Sequence, residues 1–182
     1  MSFLDSINEL LKSRKRCGNS QVLAIDGRAG SGKTTLASEL SLAFSLDRSV
    51  TVLHMDEIYA GWQGALGPKL THTLEDLLNS ISSHQSQLLP IYDWYRGEFS
   101  ASRIIEPTDL LLLEGVGSAQ RIVRAYNSTT IWLDIEPDIG LARVLERDGD
   151  NIRPQMQKWQ LAESAHFSLD QTREYSDFIL TT

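Results

Sequence analysis

One hundred and eighty-two residues, 41% of them hydrophobic, are enough for one domain with a full core, and a single domain over 1–182 is expected. A formal net charge of −7 argues against a general nucleic-acid binder, which needs a basic face to neutralise backbone phosphates. The one cysteine, Cys17, excludes an intramolecular disulfide and a cysteine-built zinc site, and it favours a reducing, cytoplasmic setting.

The chain opens MSFLDSINELLKSRKR, with its charges after its apolar residues and no long hydrophobic core. Neither a secretory signal nor a membrane span is expected from such a pattern. Phe3, Leu4, Ile7, Leu10 and Leu11 fall on one helical face, which predicts a helix within residues 1–19 packed on the domain. A membrane-surface helix is the alternative, because Arg14, Lys15 and Arg16 follow.

Residues Gln21 to Thr35 read QVLAIDGRAGSGKTT, an apolar run, a glycine-rich turn and the start of a helical pattern. Gly27, Gly32, Lys33 and Thr34 satisfy G-x-x-x-x-G-K-[ST], in which backbone amides cradle phosphates, the lysine reaches the β/γ-phosphates and the hydroxyl ligates Mg²⁺. The flanks supply the strand (Val22 to Ile25) and the helix (Thr35 to Leu40) that the motif requires. Gly27, Arg28, Ala29, Gly30, Ser31, Gly32, Lys33, Thr34 and Thr35 are therefore the expected phosphate grip, with the positive end of the helix dipole behind them.

Helical spacing of Leu36, Leu40, Ala43 and Phe44 gives way to a strand at Ser49 to Met55, so the pattern is βαβ with a right-handed crossover. Asp56, Glu57, Ile58 and Tyr59 follow directly, at the carboxyl edge where open α/β sheets bind ligands. Ala60 to Lys69, glycine-rich around Trp62, reads as a flexible loop, either a substrate flap or a plain surface connection. Leu74, Leu77, Leu78 and Ile81 mark an amphipathic helix. Leu88 to Arg96 then reads as an extended, aromatic-rich segment whose Tyr92, Trp94 and Arg96 are candidates for a pocket around a ring-containing substrate, with ordinary packing as the alternative.

Leu110 to Leu113 is an apolar run without alternation, as in a parallel strand covered on both faces, and it ends in Glu114 and Gly115. Glu114 resembles the Walker B carboxylate that supports Mg²⁺. A further strand spans Thr130 to Ile135, and Pro137 opens a helix on which Arg143 and Arg147 share a face, with Arg153 beyond the Asp148-Gly149-Asp150 turn. Three always-protonated guanidiniums near one hinge can clamp polyphosphate, or they can pair with the neighbouring acids. A second helix is expected over Gln155 to Phe167, and a turn and strand over Thr172 to Leu180.

With these stretches placed, the chain resembles the uridine kinase and phosphoribulokinase-like branch of small P-loop kinases. The likeness rests on IDGRAGSGKTT, HMDEIY, PIYDW, PTDLLLLEG, LDIEPDIGLARVLERD and REYSDFIL, in that order over Gln21 to Leu180. It implies a three-layer α/β P-loop fold with a central parallel sheet of about five strands and a small lid over about 143–155. It also implies Asp56 as the base that orients an acceptor hydroxyl, Thr34 as a Mg²⁺ ligand supported by Glu114, lid arginines Arg143, Arg147 and Arg153, and acceptor contacts from Tyr59, Tyr92 and Trp94. Where uridine kinases carry Asp-His-Pro-x-Ala-Phe-Asp for ribose binding, this chain reads THTLEDLL, and after the Tyr-Asp-aromatic segment it has YRGEF where they have a histidine.

The expectation is an ATP- and Mg²⁺-dependent kinase with Lys33, Asp56 and the three arginines as its catalytic groups. Its acceptor would be a small molecule, a nucleoside- or sugar-type hydroxyl. Asp56 and Glu114 can exchange the roles of base and metal support. Two alternatives stand beside it, a nucleoside monophosphate kinase and a nucleotide-binding switch without acceptor turnover. No nucleic acid or membrane partner is expected, and a homo-oligomer is left open.

Overall fold

The apolar run at Leu110 to Leu113 shows how the fold is sorted. In the computed structural model, which describes residues 2–182, Leu110 and Leu112 join one hydrophobic cluster and Leu111 and Leu113 the other. Alternate side chains of a strand leave on opposite faces, so a continuous apolar run requires cover on both.

The elements in chain order are α1 (Phe3–Ser13), β1 (Gln21–Gly27), α2 (Lys33–Phe44), β2 (Val50–His54), α3 (Gly61–Gly64), α4 (Pro68–Ser82), β3 (Gln87–Asp93) and β4 (Glu98–Ile105). They continue with β5 (Leu110–Glu114), α5 (Arg121–Arg124), β6 (Thr129–Asp134), α6 (Pro137–Asp148), α7 (Arg153–Asp170) and β7 (Phe178–Thr181). Five strands form a parallel sheet in the order β2-β5-β1-β6-β7, with β1 paired to β5 and β6 at its centre. Helices cover both faces, so the architecture is the expected three-layer α/β sandwich of P-loop kinases.

Helices α1 and α2 pack on one face through Ile7, Leu11, Ala37, Leu40 and Phe44 against Leu23, Ile25 and Ile131. The apolar stripe of α1 thereby faces the domain, with Ile7 and Leu11 buried and Phe3 and Leu4 partly so. No helix among the described residues is long and apolar enough to cross a membrane. On the other face, α4, α5 and α7 cover Val22, Ala24, Leu111, Leu113 and Trp132.

Two elements depart from the sequence expectation. The segment at Leu88 to Arg96 is the first arm of an antiparallel hairpin, β3–β4, separate from the main sheet. The loop at Ala60 to Lys69 contains α3 and the start of α4, where Pro68 occupies the first helical turn, a position that needs no N–H donor. Residues 143–155 comprise the end of α6, a one-turn 3₁₀ segment at Asp150–Ile152 and the start of α7.

Candidate active site

Parallel strands deliver their carboxyl ends to one edge, and there β1, β2 and β5 release the glycine-rich loop, the Asp56 turn and Glu114. Gly30 adopts φ +80°, and a methyl group at this position would overlap the Gly140 carbonyl of α6. A Cβ on Gly140 would in turn meet the Ala29 carbonyl at 2.6 Å, so α6 and the loop meet backbone to backbone. Gly32, at φ +88°, caps α2 without a side-chain hydrogen bond. The first-turn amides of α2 thus have no side-chain acceptor, which is the arrangement that receives an anion at a helix N-terminus.

Lys33 is buried, and its Nζ donates to the Arg28 carbonyl at 2.8 Å. Burial lowers its pKa, while the negative charges of Asp26, Glu114, Glu163 and Asp56 act in the opposite direction. Ser31 is also buried, and its hydroxyl has no partner among the described residues. The Asp26 carboxylate accepts from three backbone amides: Gly27 at 2.7 Å, Gly117 at 3.0 Å and Ala119 at 2.9 Å. It therefore ties the start of the phosphate loop to the loop that follows β5.

Thr34 Oγ1 donates to Glu114 Oε1 at 3.1 Å, and Glu114 Oε2 lies 2.6 Å from His54 Nδ1. The Glu114 contact raises the His54 pKa and favours the imidazolium. Asp56 sits on the 3₁₀ turn Met55–Glu57, lining the same cleft, and its carboxylate has no hydrogen-bond partner among the described residues. Burial and then the charge of Glu114 push its pKa up. Its backbone is fixed from the hairpin: the Trp94 indole N–H donates to the Asp56 carbonyl at 2.8 Å. Arg103 on β4 donates to both oxygens of Glu57 at 2.9 and 3.0 Å and to the Val52 carbonyl at 2.9 Å.

The oxygen donors Thr34, Glu114 and Asp56 suit Mg²⁺. No group of three or more His, Cys, Asp or Glu side chains that could hold a metal occurs among the described residues. Mg²⁺ does not need one, since it is usually held by one or two carboxylates together with substrate phosphates and water.

A cleft of about 470 Å³ opens over these groups, lined on one side by Tyr59, Trp62, Trp94 and Trp159 and roofed by Arg143 and Arg147. The Trp62 ring stands nearly edge-on to Trp94 at 5.3 Å and to Trp159 at 5.8 Å. Tyr59 packs on Trp159 at 5.5 Å, and its hydroxyl is used within the protein, donating to the Val116 carbonyl at 2.6 Å.

The cleft does not gather every residue that the sequence proposed for it. Tyr92 lies behind the wall, packed on Trp94 and Phe99 at 5.1 Å each, because the β3–β4 pairing directs its ring into the hairpin. Arg96 is in the hairpin turn, its side chain 64% exposed and 3.9 Å from Asp93. Arg153 pairs with Asp150 at 2.6 Å and borders a separate hollow with Asp138 and Glu146. Of the three arginines, Arg143 reaches the Gly30 carbonyl at 3.4 Å, and Arg147, although paired with Asp148 at 2.7 Å, still lines the cleft. Within the phosphate loop, Arg28 turns away toward Glu163 and Ser164, at 3.2 and 2.9 Å. The THTLEDLL segment is the interior of α4, whose Leu74, Leu77 and Leu78 belong to the core, and neither Glu75 nor Asp76 lines the cleft.

Sequence reasoning did not assign roles to His54, Asp26, Gly140, Arg103 or Glu163. His54 had a local signal, an ionisable residue at a strand end two positions before Asp56. The others become visible only when distant segments meet.

The family model described as the phosphoribulokinase / uridine kinase family matches residues 68–162. A uridine kinase of Brevibacillus brevis is 30% identical over 146 residues, covering 72% of this chain and 67% of that protein. A uridine kinase of Lactobacillus johnsonii is 24% identical over 179 residues, covering 87% of this chain and 85% of its own length. Among solved structures, one described as a possible uridine kinase from Bacillus stearothermophilus superposes with a TM-score of 0.68 at 24% identity, covering 97% of this chain and 96% of that one.

Proposed function

Because the chain belongs to the phosphoribulokinase / uridine kinase family, we propose that it transfers the γ-phosphoryl group of Mg²⁺-bound ATP to a hydroxyl of a small nucleoside- or sugar-type acceptor. The observation that carries this reading is the unpartnered Asp56 carboxylate, set in one cleft with the Lys33 grip and facing an aromatic wall.

The division of labour follows from who is already engaged. Glu114 spends both oxygens, one on Thr34 and one on His54, and is therefore suited to hold Thr34 and a metal in place. Asp56 keeps both oxygens open and has a raised pKa, which suits a group that accepts a proton from the acceptor hydroxyl. On this reading Asp56 is the base and Glu114 the metal support. Thr34 and Glu114 would hold Mg²⁺, with Asp56 beside them, and the ion when bound neutralises charge on the phosphate oxygens.

The remaining groups position. The loop amides and Lys33 hold the β- and γ-phosphates, and Arg143 and Arg147 close the roof over the transferring group. Trp62, Trp94 and Trp159 line the cleft and offer apolar contact to a ring in the acceptor. Phosphoryl transfer asks the protein mainly for placement and electrostatic support, and no covalent nucleophile is required.

The test is an ADP-release screen over nucleosides, nucleoside monophosphates, sugars and other small hydroxyl compounds, with Lys33→Ala and Asp56→Asn as controls. Acceptor-dependent turnover that both substitutions abolish is the expected result. Tight ATP binding with background ADP release for every acceptor would replace the kinase with a nucleotide switch.

A further inference from the structure

Glu163 lies on α7, far from the loop in sequence, yet its buried carboxylate touches the loop directly. It is 1% exposed, its Oε2 accepts from the Ala29 N–H at 3.0 Å, and its Oε1 accepts from Arg28 Nη1 at 3.2 Å. A carboxylate with so little solvent requires compensation, and here the loop backbone and one guanidinium provide it.

The Ala29 N–H and the Arg28 carbonyl are two ends of one peptide unit. Its N–H end is held by Glu163, and its oxygen end receives the Lys33 ammonium at 2.8 Å. The peptide plane is rigid, so fixing its N–H direction fixes where its carbonyl points. A carboxylate on one end and an ammonium on the other also polarise the amide in the same sense, which strengthens both bonds.

We propose that Glu163 is a positioning residue for Lys33, acting through the Arg28–Ala29 peptide and linking the helix beyond the arginine roof to the phosphate grip. The inference rests on the nucleotide-binding part of the proposed function. Two further contacts hold the same strip of loop. Ser164, the next residue on α7, accepts from Arg28 Nη1 at 2.9 Å, and Gly140 of α6 presses its backbone on Ala29. Glu163 is the side chain that holds the N–H end of the peptide carrying the Lys33 acceptor, and the oxygen end also accepts from the Ser31 N–H at 3.2 Å. Without it, the part-buried Ala29 amide loses its partner and the N–H end of the peptide is no longer fixed, which loosens the direction of the carbonyl that receives the lysine.

The experiment compares wild type, Glu163→Ala and Glu163→Gln in two assays. One is calorimetric binding of Mg²⁺ with a non-hydrolysable ATP analogue. The other is steady-state turnover with whichever acceptor the wild type uses. Glu163→Ala should weaken analogue binding about 10-fold and lower kcat on the order of 10²-fold, with the acceptor KM unchanged, since small misplacements of a reacting group carry losses of that size. Glu163→Gln keeps an oxygen that accepts from Ala29 N–H and should recover most of both losses. Thermal unfolding of each variant separates a fall in folded fraction from a change per folded molecule.

Analogue binding by Glu163→Ala that equals wild type per folded molecule would overturn the positioning role, as would a Glu163→Gln variant as impaired as Glu163→Ala. Failure of the wild type itself to bind the analogue would instead overturn the functional reading on which the inference stands. The binding assay needs no acceptor, so the two failures are distinct.

Discussion

The two ends of the cleft are built on opposite principles. The phosphate end is made of backbone and buried charge: a left-handed glycine cap, a lysine and glutamates shielded from water, and a helix laid backbone to backbone on the loop. The end proposed for the acceptor is made of aromatic side chains, of which Trp62 and Trp94 are 39% and 40% exposed. Phosphate is the same anion in every nucleotide, so its site can be rigid and backbone-made, whereas a site for a particular small molecule can be built from exchangeable side chains. The first kind of site survives in the sequence as a motif, and the second leaves only a composition.

Substitutions should separate the two ends, beginning with the strongest. Lys33→Ala removes a preorganised charge at the phosphate end and should lower kcat on the order of 10³-fold while weakening nucleotide binding, as read by turnover and calorimetry. Asp56→Asn stands between the two ends and should lower kcat by about 10²-fold with nucleotide affinity preserved, which a competition binding assay can establish. Equal loss of nucleotide affinity in both variants would show that Asp56 belongs to the phosphate end after all.

Asp26 gives the phosphate end a pH signature in stability. Burial pushes its pKa from 3.8 up to about 6, against the opposing pull of the Ala119, Gly27 and Gly117 amides and Lys33. A native carboxyl that keeps its proton where the unfolded chain has lost it favours folding at low pH. The contribution is full below about 3.8 and is lost as pH rises through about 6. At about 1.4 kcal/mol per pKa unit it amounts to about 3 kcal/mol. Asp26→Asn should remove that slope, so the stability difference between the two proteins in denaturant titrations should change between pH 4 and pH 7. Parallel curves would refute the assignment.

At the acceptor end the effects should be smaller. Trp62→Ala removes part of the aromatic wall and should raise the acceptor KM about 10-fold with the nucleotide KM unchanged. Arg96→Ala should alter neither KM by more than about 2-fold, because its partner is a surface carboxylate outside the cleft. A large Arg96 effect would mean that the hairpin turn folds over the acceptor during turnover.

The same contrast explains what could be read from the residues alone. The glycine-rich loop, the βαβ pattern and the apolar run ending in Glu114 report local geometry, and the parallel sheet follows from them. The hairpin was half legible: Leu88 to Asp93 looks extended, but β4 is largely exposed, and without a buried face its residues carry no clear period. Arg153 looked equivalent to Arg143 and Arg147, and Arg96 looked like a pocket residue beside Tyr92 and Trp94, because sequence shows charge without direction. Glu163 was invisible as a site residue, since its partners Arg28 and Ala29 are more than a hundred positions away. A glutamate on a helix has no sequence sign of being buried.

The most direct test of the central claim is ³¹P NMR of the protein incubated with Mg²⁺, ATP and the acceptor that supports ADP release. A phosphomonoester resonance should grow in step with ADP, attached to an acceptor hydroxyl, and should be absent with Lys33→Ala. ADP accompanied only by inorganic phosphate, or a product in which phosphate joins an existing phosphate, would contradict a cleft in which Asp56 faces a hydroxyl.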